Sequence, residues 1–497
     1  MVPPTPRNGD ALPREELKRR ASSGVFIVAS RGLVILVMSF VGNVVVARLL
    51  TPHDYGLVAI GMSFVYFASV LSDGGLGAAL IRRPEPPERQ ELEALLGLQL
   101  AVTTVLAILV TAGAAPFGQA GWVVALMISS MPLAMLQFPG RILLERSLSY
   151  RPLAVVELSQ VFVYHAWAIT FVVAGFGVWG LASATVAMRA AAAIAMAAVC
   201  PAGVVRPRLG WRRIRPMLGF GVRFQAASAT GLVQEQGLNA GIAAIAGVST
   251  LGLWSLAKRV MDVPFLLFDA LWRVSFPTMS QLVAADEDVA PLLERAVSMA
   301  AVASALILTG LAGSAPGFIP GVFGEQWREA STVIPIACVA LTIGGSVSVA
   351  TVGYLYAVGD AATVLRAHAL RTLAAFSVTF PLLPVLGLQA AALGWLVSCL
   401  VDAVVLGRAT VRRTQARLAG PLVAPLAAGV VSGAAGWVVS DVGGADLRSG
   451  LVGGACSVVL FLLLLLCFRA NLLRETFGFA RDAVRGALSR RRATTPA

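Results

Sequence analysis

The sequence predicts an all-α polytopic membrane protein with about fourteen transmembrane helices, two six-helix halves followed by a final pair. Three observations predict it. Of 497 residues, 57% are apolar and only 13% charged, with a mean hydropathy of +0.80. Apolar runs of about twenty residues recur along the chain, the length that a hydrocarbon layer of about 30 Å requires. Basic residues fall almost wholly into alternate connections between those runs.

Residues 1–23 form a polar, proline-bearing tail with Arg7, Arg14, Lys18, Arg19 and Arg20. The apolar run after it is too long for a signal peptide and lacks a convincing cleavage site, so a cytoplasmic tail before a permanent span is expected. A first lobe, 24–200, then holds spans near 24–47, 55–80, 92–115, 121–144, 152–174 and 178–200. The basic stretch 201–216, PAGVVRPRLGWRRIRP, reads as a cytoplasmic linker. A second lobe, 217–409, holds spans near 217–245, 250–280, 290–313, 330–357, 363–385 and 388–407. The final pair, within 420–469, lies near 421–440 and 448–468. Residues 470–497 form a basic tail, whose first part has the pattern of an amphipathic helix lying on the membrane.

Charge tests the count. With odd-numbered spans leaving the cytoplasm, the inner connections, the span ends that flank them and the tails hold 30 of the 39 Lys and Arg residues, the outer connections hold Arg48, Arg328 and Arg448, and the other 6 (Arg31, Arg189, Arg223, Lys258, Arg259 and Arg273) are embedded. That split predicts an even number of spans with both termini cytoplasmic. A weak internal echo also links the halves. Tyr55-Gly56 opens the second span and Leu251-Gly252 the eighth, Asp73 falls on Asp269 at the same offset, and the run from Gly177 resembles that from Gly387. Two parallel six-helix halves are a recurrent transporter plan, with the substrate path between them.

The stretch Met217–Leu282 carries most of the embedded polarity: Arg223, Glu235, Lys258, Arg259, Asp262, Asp269 and Arg273. A charge at bilayer depth costs roughly 2.5–3.5 kcal/mol on insertion scales unless it meets a partner or a wet cavity. Lys258 with Asp262, and Asp269 with Arg273, are spaced i,i+4, so each pair is able to neutralise itself on one helix face. Asp73 and Asp402 lie near span ends and are expected to reach water or nearby arginines. Arg31 and Arg223 have no acid within a helical turn. Either they snorkel to the headgroups, or they face a central cavity and bind an anion, with Arg259 a third member. Arginine suits phosphate because its fork of donors matches the oxygens and it stays charged. Lys258 and Arg189 are further embedded cations. Gln234, Glu235, Gln236 and Asn239 suit a sugar-lined path, and equally hydrogen bonding between helices; Glu235 is alternatively an ion or proton site.

Enzymatic motifs are missing. Cys200, Cys338, Cys399, Cys456 and Cys467 stand singly, His53, His165 and His368 are scattered, and no metal-ligand spacing occurs. There is no P-loop, GxSxG, HExxH or DxD in a soluble loop. The net charge of +13 is explained by sidedness, so no nucleic-acid partner is expected.

The segment ARLLTPHDYGL (47–57) resembles the turn between the first two helices of bacterial polysaccharide exporters, and LSDGGLGAALIRR (71–83) their DxGLGxALIxR segment. ERSLSYRPLA (145–154), VFGEQW (322–327) and GDAATVLR (359–366) fit the same pattern. The chain is thus similar to the Wzx-like oligosaccharide flippases of the multidrug/oligosaccharidyl-lipid/polysaccharide exporter superfamily. The resemblance implies two six-helix lobes around a central cavity and transport of an undecaprenyl-diphosphate-linked oligosaccharide by alternating access. It places the protein in the bacterial inner membrane, as a monomer working with polymerase and chain-length proteins of one pathway. It gives Arg31 and Arg223 the diphosphate and the last two spans a groove for the lipid tail. No cofactor is implied beyond a coupling ion, H+ or Na+. The alternatives are a cation-coupled multidrug exporter of the same superfamily and a membrane polymerase or glycosyltransferase acting on lipid-linked sugars.

Overall fold

The computed structural model describes residues 14–83, 85–285 and 287–493. Among the described residues every regular element is helical and no strand occurs. The chain divides into two compact units: residues 1–50 with 57–232, and residues 51–56 with 233–497.

The first unit contains α1 (Arg14–Leu49), most of α2 (Pro52–Asp73), α3 (Leu76–Arg82), α4 (Arg89–Ala114), α5 (Gly118–Ile128), α6 (Met131–Met135), α7 (Phe138–Arg146), α8 (Tyr150–Phe171), α9 (Val178–Val199) and the first two thirds of α10 (Trp211–Ile245). α8 and α9 pair as a hairpin, α1 lies along α8, and α5 and α6 each pack on α4 and on α9. At one end of this unit Leu76, Leu80, Leu92, Leu95, Ile142 and Ile214 bury one another. That cluster binds α3, α4 and α7 to the start of α10.

The second unit contains the first turn of α2, the rest of α10, and α11 (Val248–Ala284), α12 (Ala290–Phe323), α13 (Ile334–Ala357), α14 (Ala361–Leu386), α15 (Leu388–Thr414), α16 (Ala419–Val442) and α17 (Leu447–Ala493). α12 is its hub, packed on α13, α16 and α17. Gly313, Gly436, Gly453 and Ser457 meet there at distances that exclude larger side chains, the close approach that apolar solvent favours between helices. α17 breaks at Arg469 (φ −150°, ψ 49°), where its apolar run ends. The basic tail is helical as far as Ala493, and its side chains from residue 471 onward lie outside the described ones.

Eleven segments among the described residues are long and apolar enough to cross a membrane, so the expected fourteen is not reached by that measure. Two expected spans, 92–115 and 121–144, share the segment Arg89–Met135, which the turn Ala115–Phe117 interrupts. α10 and α11 are long helices whose apolar runs are broken by polar groups; α11 carries Lys258, Arg259 and Asp262 within five residues.

Two of the hairpins turn through glycines of one backbone conformation, which Gly118 also takes at the start of α5 (φ 57°, ψ −133°). Gly177 starts α9 at φ 52°, ψ −129°, and Gly387 starts α15 at φ 53°, ψ −125°. Only glycine enters this region without strain, so the two hairpins turn by the same device.

Candidate functional site

The motifs that carry the family likeness build turns. Thr51 and Asp54 cap the start of α2 reciprocally. The Thr51 hydroxyl donates to Asp54 Oδ2 at 2.7 Å, and the Asp54 amide donates back to Thr51 Oγ1 at 3.3 Å. Two residues on, a side chain at Gly56 would stand 1.9 Å from the carbonyl oxygen of Val248, and one at Gly252 would stand 1.8 Å from that of Pro52. The first turns of α2 and α11 therefore cross at backbone contact. Tyr55 is buried there, edge-on to the buried Trp327 at 4.8 Å between ring centroids. At α14 the Asp360 carboxylate accepts from the Thr363 amide at 3.1 Å, the Thr363 hydroxyl at 2.7 Å and Arg413 at 2.5 Å. These bonds, the Thr363 hydroxyl foremost, hold the Asp360 carboxyl below the usual carboxylate range. Arg146 Nη1 reaches the carbonyls of Leu80 and Arg83 at 2.7 and 2.6 Å, closing the end of α3.

Chemistry must then come from the embedded charges, and several sit otherwise than the sequence suggests. In the first unit Arg31 is not a lone cation: its Nη1 lies 2.7 Å from Glu157 Oε2 of α8. Linear spacing hid this, because α8 meets α1 only through the fold. Arg189, midway along α9, is half-buried and has no acid partner among the described residues, and its Nε is buried with no hydrogen bond. Asp73 is half-buried at the end of α2, with Arg141 its charged neighbour. The Arg223 side chain lies outside the described ones.

In the second unit Lys258 pairs with Glu235 of α10 and not with Asp262, correcting the i,i+4 expectation. Asp262 is exposed beside that pair. Arg259 lies 5.3 Å above the Tyr55 ring, a cation–π contact that holds it against the α2 turn. Gln234 accepts from the Thr372 hydroxyl at 3.3 Å, and Asn239 donates to the buried Gln236 at 3.2 Å. These amides link α10 to α14 and to itself. The Asp269 side chain lies outside the described ones, and Arg273 is exposed.

Asp402 does not meet one of the two alternatives expected of it, contact with water. It is 2% exposed, so it does not reach water. Its Oδ2 accepts from the Ser348 hydroxyl at 3.2 Å, while Oδ1 is buried without a donor. Sequence position near a span end gave no sign that α13 and α14 cover it.

A groove of about 460 Å³ runs along the second unit between α12, α13, α15 and α16, lined by Leu308, Ile336, Leu396, Leu426, Val430 and Trp437 among others. Its walls are almost wholly apolar, and Thr309 spends its hydroxyl on the Gly429 carbonyl at 3.3 Å. No sequence motif marks it, because its lining is ordinary span composition.

Comparison with known proteins agrees with this architecture. Residues 45–332 match the family model described as "Polysaccharide biosynthesis protein". The lipopolysaccharide biosynthesis protein WzxC of Escherichia coli (strain K12) is 25% identical over 335 residues, 65% of this chain and 67% of that protein. The succinoglycan biosynthesis transport protein ExoT of Rhizobium meliloti (strain 1021) is 24% identical over 337 residues, 66% of this chain and 67% of that one. Among solved structures, lipid II flippase MurJ in an inward closed conformation aligns with a TM-score of 0.71 at 10% identity, over 90% of this chain and all of MurJ. An inward-facing multidrug resistance MATE family transporter aligns with a TM-score of 0.57 at 15% identity, over 77% of this chain and 95% of its own. At such identities the two structures show a shared fold.

Proposed function

The chain belongs to the polysaccharide biosynthesis protein family, and from that premise we propose that it is a flippase for an undecaprenyl-diphosphate-linked oligosaccharide. It moves its substrate from the inner to the outer leaflet of the bacterial inner membrane by alternating access, as a transporter and not an enzyme, for assembly of a surface polysaccharide.

The observation that carries the reading is Arg189. A guanidinium held half-buried in a span with no acid beside it is expensive, and an anion on the substrate offsets that cost. Arginine offers a diphosphate paired donors at any pH. The groove in the second unit supplies the other half of the chemistry, apolar surface for an isoprenoid chain at about 25 cal/mol per Å² buried. In this reading Lys258 and Glu235 hold α10 to α11, Gln234, Gln236 and Asn239 are helix contacts, and the cationic role given to Arg31 and Arg223 is carried among the described side chains by Arg189. A pathway polymerase receives the product on the outer side.

The test is to delete the gene and locate the lipid-linked intermediate. Build-up on the inner leaflet supports the flippase; build-up on the outer leaflet makes it a polymerase, and drug sensitivity with normal polymer makes it an exporter. Complementation with Arg189→Gln, checked for expression, should leave the intermediate inside. Complementation with Ala434→Phe, which fills the groove wall, should do the same.

A further inference from the structure

The connection between α9 and α10 lies wholly in the first unit. It leaves the apolar span at Val199 and becomes helical again at Trp211. Val204, Leu209 and Trp211 on it are 69, 82 and 60% exposed. Exposure of that degree is ordinary on a lipid-facing helix, but these three stand on a connection that begins where a span ends. Ile214, by contrast, is buried among Leu76, Leu92 and Ile142, which fixes the segment to the unit and leaves the other three facing away.

The charges alongside have a surplus of one sign. Four acids adjoin the segment, and each is taken. Glu85 and Glu91 pair with Arg83 at 3.5 and 2.8 Å, Glu88 pairs with Arg213 at 2.9 Å, and Glu93 pairs with Arg89 and Arg208 at 3.3 and 3.5 Å. The Arg208 amide also donates to the Glu93 carbonyl at 3.0 Å, and Arg89 donates to the Val204 carbonyl at 3.2 Å. The segment is therefore tied down on α4. Arg206, Arg212 and Arg215 are exposed and have no ion pair among the described residues.

We propose that this connection is a docking surface for anionic phospholipid headgroups, with Val204, Leu209 and Trp211 seated in the acyl boundary and Arg206, Arg212 and Arg215 on the phosphates. An acidic protein would satisfy the arginines but leave three large apolar side chains to water when absent. A lipid interface is always present and takes both, since indole rings favour the headgroup level and each arginine near an anionic leaflet raises binding roughly five-fold. The inference stands apart from substrate translocation, because none of these residues belongs to the charges or the groove assigned to transport.

The test uses the whole protein in nanodiscs containing brominated phosphatidylglycerol or brominated phosphatidylcholine. The Trp211 signal is the fluorescence difference between wild type and Trp211→Phe. Both lipids should quench it, phosphatidylglycerol more strongly, and that preference should fade in about 0.5 M salt as screening shortens to a few Å. The triple variant Arg206→Gln, Arg212→Gln, Arg215→Gln should keep the quenching and its elution volume but lose the preference. Three results overturn the proposal: a Trp211 signal that neither lipid quenches, equal quenching by both in wild type, or a preference that survives high salt or the triple variant.

Discussion

Arg31 of α1 and Glu157 of α8 meet at 2.7 Å, joining two helices of the first unit by a charge pair that is only partly open to solvent. Removing either partner leaves the other charged and half-buried. Full burial would make that cost roughly 3–5 kcal/mol; partial exposure reduces it to about 1–2 kcal/mol. Arg31→Gln and Glu157→Gln should each lower the unfolding temperature in detergent, and the double variant should recover much of the loss. Additive losses in the double variant would show that the two do not act as a pair.

The α2–α11 crossing predicts a sharper result. At Gly56 and Gly252 an added methyl meets backbone atoms at 1.9 and 1.8 Å, and no rotamer relieves that. Gly56→Ala and Gly252→Ala should each remove folded protein from the membrane fraction. Gly32 of α1 has nothing within 4 Å of the same position, so Gly32→Ala should express normally and gain up to about 1 kcal/mol of helix propensity.

Gly177 and Gly387 separate conformation from crowding. Both have φ near +52°, and neither has an atom within 4 Å of an added Cβ. Alanine at either should cost about 1–3 kcal/mol from backbone strain alone. The two losses should be equal within measurement, because the φ and ψ values nearly coincide. A large loss at one site and none at the other would break the equivalence of the two hairpins.

How much of this was legible beforehand follows from what kind of signal each feature leaves. Span length and arginine sidedness are local and additive, so the helical membrane class read directly, and so did the turn motifs. Gly177 and Gly387 stand out in the sequence because a conformation that demands glycine leaves a fixed letter. Partners between distant helices leave no mark in linear spacing. Arg31 therefore reads as unpaired, Lys258 as the partner of Asp262 in place of Glu235, and Asp402, near a span end, as open to water or to a nearby arginine. Arg189, one basic residue within an alanine-rich run, carries a weaker sequence signal than the polar stretch after residue 217, although among the described residues no acid pairs with it.

Asp360 gives a pH signature outside the membrane spans. Its carboxyl is held below the ordinary range by Thr363 first and by Arg413 after it. A group depressed in the folded state contributes stability that is present above its unfolded value, about pH 4 for aspartate, and lost as pH falls through the folded value. The unfolding-temperature gap between wild type and Asp360→Ala should therefore be constant from pH 8 to about 5 and close below about 4. A gap unchanged at the lowest pH would mean that Asp360 does not act through its charge.

Lys258 and Glu235 allow structure and transport to be told apart at one place. Both are partly exposed and they pair across α10 and α11. If the pair only fastens those helices, Lys258→Glu with Glu235→Lys keeps the attraction and restores whatever the single reversals lose. If Lys258 instead contacts the diphosphate, the swap moves a positive charge to α10 and puts a negative one where the anion would sit, so it restores stability but not polymer. The neighbours favour fastening. Arg259 is already turned onto the Tyr55 ring at 5.3 Å, and Glu235 is within ion-pair reach of the Lys258 ammonium that an anion would need. The exchanged protein should therefore recover both its unfolding temperature and polymer production, while Arg189→Gln recovers the first and not the second.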